Sequence, residues 1–207
     1  MRVTNGVRTL SGWCSDSLRA LAALTLGAAL AGCASAPVDE ATDSALAGRY
    51  ADAVALQRAG ELDGAGRRFD ALTNDYPDRV EPRISLALVH RAAGEDAEAE
   101  ALLEAVVAEF PDSAVAWSEL GILRRRGGRL AAADEAYRRA LAADPEYALA
   151  YRNRGILLDL YLDQPGEALA HYRRYVELTG DAEVGRWVTE LELRLPAADD
   201  ARVAEQR

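Results

Sequence analysis

The chain has 207 residues with 34 acidic and 24 basic side chains, a net charge of −10, half of its residues hydrophobic and only 6% aromatic. Every basic residue is Arg, and the acidic balance excludes a protein built chiefly to grip a nucleic-acid backbone. With two His and two Cys there is little material for a metal site or a nucleophile and its base, so a binding protein without cofactor or metal is expected rather than an enzyme.

Alanine dominates and β-branched residues are sparse, which predicts an all-α fold. The length predicts one domain, or one domain behind a processed leader.

That leader occupies residues 1–32. Arg2, Arg8 and Arg19 precede an uncharged stretch over residues 20–30 that runs into small residues, the build of a secretory signal peptide. Eleven helical residues reach about 16 Å, too short for a hydrocarbon core of about 30 Å. At its end stand Leu30, Ala31, Gly32 and Cys33, which resemble the lipobox of bacterial lipoproteins. The resemblance implies that Cys33 is acylated and becomes the first mature residue. Ala34 rather than Asp in the next position implies transport to the outer membrane. Cys14 leaves with the leader and Cys33 becomes a thioether, so no disulfide is expected in the mature chain. Several acyl chains exceed the two signals needed for stable anchoring. The exported body keeps 21 Arg against 33 acids. Residues 33–44 lack apolar periodicity and read as the acylated Cys with a flexible tether.

Beyond the tether the chain repeats. Gly60, Gly94 and Gly128 are 34 residues apart, as are Ala65, Ala99 and Ala133, and Pro77, Pro111 and Pro145; a fixed period of 34 predicts stacked helical hairpins. Between residues 114 and 147 stand Trp117, Leu120, Gly121, Gly128, Ala133, Tyr137, Ala140 and Pro145, which resemble the tetratricopeptide repeat (TPR) signature, with Arg124 where that family has Tyr. The frame gives repeats 46–79, 80–113, 114–147 and 148–182. Ala168 and Tyr172 fall one position late, so the last repeat carries an insertion near residues 162–165. The first two repeats place Arg49 and Arg83 in the Trp position. Val184, Trp187, Val188, Leu191 and Leu195 line one face of a further helix over 183–195, suited to cap the array. Residues 196–207 read as a disordered tail. The resemblance implies a right-handed solenoid of about four hairpins plus this cap, with a TPR domain over 45–195.

In TPR arrays the first helix of each hairpin lines the concave face, and the family's ligand positions fall here on Tyr50, Val54, Ile84, Leu88, Arg91, Ser118, Ile122, Arg125, Arg126, Arg152, Ile156 and Asp159, with Gln57 beside them. Val54, Leu88, Ile122 and Ile156 form an apolar row edged by Arg, suited to a protein partner's amphipathic or extended segment that carries acidic residues. The same row could instead pack against the neighbouring hairpin. Tyr50 and Val54 occupy the places of the Lys and Asn of the chaperone-binding carboxylate clamp, so that mode is not expected.

The run Arg124, Arg125, Arg126 and Arg129 suits a helix C-terminus rather than RNA. His90 and His171 are not joined into a metal site. Gly64 and Gly66 form a turn-to-helix feature without the strand a phosphate loop needs, and Glu98 and Glu100 read as a solvated face.

The resemblance implies an outer-membrane lipoprotein acting as a periplasmic scaffold or adaptor, of the class that includes pilotins of type IV pili, the TPR lipoprotein of the β-barrel assembly machine, adaptors of peptidoglycan hydrolases and TPR proteins of TonB-type systems. Two other readings stay open. One is a glycan- or small-ligand-binding lipoprotein using Tyr50, Trp117, Tyr151 and Arg152; the other is a cytoplasmic TPR adaptor with an unprocessed leader.

Overall fold

The computed structural model describes residues 40–195; the segment 1–32 read as a leader, Cys33 with residues 34–39, and the segment 196–207 read as a tail lie outside the described residues. Among the described residues there are nine helices and no strand: α1 Glu40–Arg58, α2 Leu62–Asp75, α3 Val80–Ala93, α4 Asp96–Glu109, α5 Ala114–Arg126, α6 Leu130–Ala143, α7 Ala148–Leu160, α8 Pro165–Thr179 and α9 Ala182–Arg194. They pair as the antiparallel hairpins α1/α2, α3/α4, α5/α6 and α7/α8. Each hairpin packs on the next, and α9 closes the series against α8. None of these helices is long and apolar enough to cross a membrane.

The 34-residue period has a steric origin. Ala65, Ala99, Ala133 and Ala168, at one position of the second helix of each hairpin, are completely buried. One turn further along, the partners vary in size but compensate. Ala53 and Ala87 of the first helices share core clusters with Phe69 and Leu103, respectively. In the last two hairpins Tyr137 and Tyr172 fill that place, and the facing residue is Gly121 or Gly155. A Cβ on Gly121 would lie 2.5 Å from the Tyr137 ring, and one on Gly155 would lie 2.6 Å from the Tyr172 ring, so only glycine leaves room for the larger aromatic. Gly60, Gly94 and Gly128 have φ of 80°, 83° and 73°, the left-handed conformation that lets each first helix stop and reverse.

Between hairpins, the prolines hand a carbonyl to the next helix. Trp117 Nε1 donates to the Pro111 carbonyl at 2.8 Å, and the Tyr151 hydroxyl donates to the Pro145 carbonyl at 3.1 Å. Arg83, in the Trp position of its repeat, donates to the Pro77 carbonyl at 2.8 Å and lies over the Phe110 ring at 5.6 Å. The substitution of Trp by Arg therefore keeps the same hydrogen bond.

The last hairpin turns through residues 161–164, with Asp163 at φ 52°. Leu162 and Gln164 donate their backbone N–H groups to the carbonyls of Leu157 and Leu158 at 3.1 and 2.8 Å, which accommodates the extra residue. Asp181 then caps α9, its carboxylate accepting from the backbone N–H groups of Glu183 and Val184 at 2.8 and 3.1 Å. Val184 and Leu191 are buried against α8, and the Trp187 ring stands edge-on to Tyr172 at 5.5 Å.

Two expectations need correction. The helix α1 starts at Glu40, inside the segment 33–44 read as a tether. Its alanines favour helix without any apolar stripe, and Asp43 pairs at 2.5 Å with Arg79, the residue before α3, which holds the first turns to the next hairpin. Glu100 is not a solvated residue. Its side chain is 14% exposed and takes ion pairs from Arg124 and Arg129, while Arg124 also reaches Glu104 at 3.1 Å and Arg126 reaches Asp96 at 3.2 Å. The Arg129 hydrogen bond holds the Glu100 carboxyl below the usual range against the opposing effect of burial. The Arg-rich end of α5 is thus tied across to α4, in addition to suiting the helix dipole.

Candidate partner-binding face

The row Val54, Leu88, Ile122 and Ile156 comes from one position of α1, α3, α5 and α7, one hairpin apart each time. All four side chains are half-buried. Each packs inward on the core of its own neighbourhood: Val54 with Ala53 and Phe69, Leu88 with Ala87 and Leu103, Ile122 with Tyr137, and Ile156 with Leu158 and Tyr172. The remaining apolar surface faces outward along the first helices.

Polar side chains border this row, but most are engaged within the chain. Arg91 pairs with Glu119 at 2.5 Å. Burial raises the Glu119 carboxyl above its ordinary pKa, and the Arg91 charge only partly opposes it. Arg125 donates to the Tyr161 hydroxyl at 3.1 Å and lies over that ring at 5.3 Å. Arg126 points the other way, to Asp96 of α4. Arg152 lies over Trp187 of the cap at 5.7 Å, and Asp159 pairs with Arg194 at 2.8 Å. On this rim Arg91, Arg126 and Asp159 are therefore held in ion pairs, while Arg125 and Arg152 rest on aromatic rings. An incoming acidic segment would have to compete with those partners.

Ile84 and Ser118 do not belong to the row. Ile84 is 7% exposed and sits in the core with Ala87 and Leu120; Ser118 is 1% exposed and accepts a hydrogen bond from Asn153 of α7 at 3.4 Å. In the first hairpin the corresponding Tyr50 is only half-buried, yet its hydroxyl bonds Ser85 of α3 at 2.6 Å. In the first three repeats the fifth position is taken by contact with the following first helix, and in the fourth Arg152 lies over Trp187 of the cap.

Glu119, Tyr161, Trp187 and Arg194 border the row without having been anticipated from the sequence. Arg91 with Glu119, Arg125 with Tyr161 and Asp159 with Arg194 are joined across 28, 36 and 35 positions, a pattern that becomes visible only once the hairpins are stacked. Trp187 and Arg194, with Ile156, Leu160 and Tyr172, bound a cavity of about 290 Å³ where α9 meets α7. The cap thus ends the row.

His90 and His171 lie in different hairpins. His90 Nδ1 pairs with Glu95 at 2.6 Å. His171 Nε2 accepts from Arg154 at 2.8 Å, and Arg154 in turn donates to Asp134 at 2.7 Å. Burial, then the Arg154 charge, push His171 down to about 4, so the ring is neutral with its proton on Nδ1. Burial raises Asp134, but the hydrogen bonds from Arg154 and Arg138 outweigh it and hold that carboxyl low.

Residues 56–121 match the sequence model of the tetratricopeptide repeat family, and the hairpin geometry continues on both sides of that segment. The described residues fold as a tetratricopeptide repeat array. Similar solved structures are TPR arrays too. A thermophilic TPR protein of Thermus thermophilus is 23% identical over 72% of this chain and 82% of its own, with a TM-score of 0.61. PilF of Pseudomonas aeruginosa is 16% identical over 74% of this chain and 70% of its own, with a TM-score of 0.66. MamA of Desulfovibrio magneticus RS-1, residue 41 to its end, is 26% identical over 64% of this chain and 75% of its own, with a TM-score of 0.54. No curated protein matches the chain. As a TPR array the chain is a scaffold for protein–protein interaction; likeness at such identities extends to the fold and not to the partner.

Proposed function

We propose that this TPR protein is an exported lipoprotein, acylated at Cys33 and held on the periplasmic face of the outer membrane, where it acts as a non-catalytic scaffold or adaptor in an envelope complex. The leader and the residues Leu30, Ala31, Gly32 and Cys33 support the export and anchoring. The observation that carries the binding mode is the half-buried apolar row Val54, Leu88, Ile122 and Ile156 on the first helices. A soluble monomer gains nothing by leaving four aligned aliphatic side chains partly wet. The partner presents an amphipathic helix or extended strand whose apolar residues meet the row; its acidic residues exchange with Glu119, Tyr161 or Asp159 for the bordering Arg91, Arg125 and Arg194.

Photo-crosslinking in the native cell tests the binding mode. A photoreactive residue at Ile122 captures one envelope protein, whereas the same residue at Glu135, on the exposed side of α6, does not. Crosslinks from Ile122 confined to this chain would assign the row to internal packing. For the anchor, Cys33→Ala releases the protein from the membrane fraction; unchanged fractionation and migration would reject acylation.

A further inference from the structure

The junction between the first two hairpins contains a cavity of about 400 Å³ between α2 and α3, separate from the row on the first helices. Leu62, Leu86 and Val89 supply apolar lining, while Asp63, Asp70 and Glu95 stand around it. Against these three carboxylates the cavity has one guanidinium, Arg67, and the His90 ring, which is paired with Glu95. Among the described residues Asp63 and Asp70 form no ion pair.

The molecule itself records what fits such a place. Shifting the lining by the repeat length of 34 moves Gly66 to Glu100, Asp70 to Glu104 and His90 to Arg124. At that second junction the Arg124 guanidinium lies against the buried side, bonded to Glu100 at 3.5 Å and to Glu104 at 3.1 Å. At the third junction the equivalent acid is Asp134, and it receives Arg154 and Arg138, both at 2.7 Å. Two of the three junctions are therefore filled by an arginine on a carboxylate, although in the third the arginines come from the places of Leu86 and Asp70, and Leu158 stands at the place of His90. In the first, both halves of the second junction's pair are missing: the inner acid is Gly66, and the arginine is the shorter His90. What remains is the apolar lining and an outer carboxylate, Asp70, at the position of Glu104.

We infer that this cavity is a docking site for an arginine side chain projecting from a partner protein, which supplies from outside the guanidinium that the next two junctions carry within. The arginine stem runs over Gly66 onto Leu86 and Val89, and the head lies between Asp70 and the neighbouring Asp63 and Glu95. Gly66 leaves that entry open, since a longer side chain there would run along Val89, whose Cγ1 lies 3.6 Å, an ordinary contact, from a Cβ built on the glycine. Arginine is favoured over lysine because its planar fork can meet two carboxylates at once while its weakly hydrated face rests on apolar surface.

The test is a titration of the full-length ¹⁵N-labelled chain in detergent with acetyl-Leu-Arg-Leu-amide, followed by NMR, beside peptides with lysine or the uncharged citrulline in the central place. The arginine peptide moves the amides of Asp63, Gly66, Val89 and His90. The lysine peptide binds several-fold more weakly, and the citrulline peptide binds at least tenfold more weakly. Installing the second junction's own pair, Gly66→Glu with His90→Arg, fills the site and removes binding. Should that variant fail to fold, Asp63→Asn with Asp70→Asn, both exposed, must still weaken binding at least tenfold. Equal binding of the citrulline peptide, shifts confined to the Val54–Ile156 row, or unchanged binding in the filled and folded variant would overturn the inference. Crosslinking from Ile122 reads the row alone, so failure of one site leaves the other standing.

Discussion

Replacement of Gly121 by alanine isolates the contact that sets the repeat frame. A methyl group there would lie 2.5, 2.7 and 2.9 Å from three carbons of the Tyr137 ring, whereas carbon atoms rest at about 3.5–4.0 Å. The ring must retreat by about 1 Å, and Tyr137 is completely buried, so the retreat disturbs its neighbours. Overpacking of this kind costs about 1–3 kcal/mol, and exchanging glycine for alanine inside a helix returns about 0.5–1 kcal/mol. The net expectation is a loss of about 1–2 kcal/mol, which lowers the melting temperature of an array this size by about 2–8 °C. Thermal and urea unfolding followed by circular dichroism measures it. Gly185→Ala in α9 is the control, because a Cβ there meets nothing within 4 Å, and it gains about 0.5–1 kcal/mol. Adding Tyr137→Leu to Gly121→Ala imitates the Ala87 and Leu103 combination of the second hairpin, so the double variant loses less than the sum of the two single losses. Equal gains from Gly121→Ala and Gly185→Ala, or strict additivity in the double variant, would refute the steric reasoning.

Acid sensitivity should trace in part to His171. Its folded-state pKa is about 4 against an ordinary value of 6.5, so as the pH falls the unfolded chain takes up the proton first. The stability from the neutral ring is complete above pH 6.5 and is lost progressively toward pH 4. Allowing for partial solvent exposure, the difference is about 1–2 kcal/mol. His171→Gln still accepts from Arg154 without titrating, and should show a flatter urea stability profile over that interval. Glu100→Ala leaves Arg124 and Arg129 without their shared carboxylate and costs about 1–3 kcal/mol in urea unfolding, whereas Glu104→Ala, at an exposed carboxylate, costs less than about 1 kcal/mol. Asp181→Ala removes the cap of α9 and costs about 1 kcal/mol; faster amide exchange confined to α9 and a change in Trp187 fluorescence would report it.

The hairpin frame was legible in the sequence because its positions are ruled by excluded volume. Nothing larger than alanine fits at Ala65, Ala99, Ala133 or Ala168, and spacing alone exposes that rule. Ala168 and Tyr172, each one place late, likewise located the inserted residue of the last turn. The candidate face was less legible, because membership depends on what a neighbouring hairpin does to a side chain. Ser118 has the composition of a groove residue, and only the approach of Asn153 from α7 removes it from solvent. Glu100 resembles a surface acid until Arg124 and Arg129 arrive from the following hairpin. Arg49 and Arg83 looked like losses of the repeat pattern, yet Arg83 retains the hydrogen bond to the proline carbonyl. Residues 40–44 showed no apolar stripe and so concealed the start of α1, which runs on from the alanine-bearing turns after them and is held by the Asp43–Arg79 pair.

The size matching within each hairpin also bears on how such an array can be inherited. Ala53 with Phe69, Ala87 with Leu103, Gly121 with Tyr137 and Gly155 with Tyr172 are settled inside single hairpins. A genetic exchange with its breakpoint in the turns around Pro77, Pro111 or Pro145 carries each matched couple intact. A breakpoint between the two helices of one hairpin can bring an alanine against a tyrosine or leave a glycine facing a leucine, giving either a clash or a void in the progeny. Duplication, deletion and shuffling of these units are therefore tolerated at the proline turns and penalised at the glycine turns, so the lineage of the array should advance in whole hairpins.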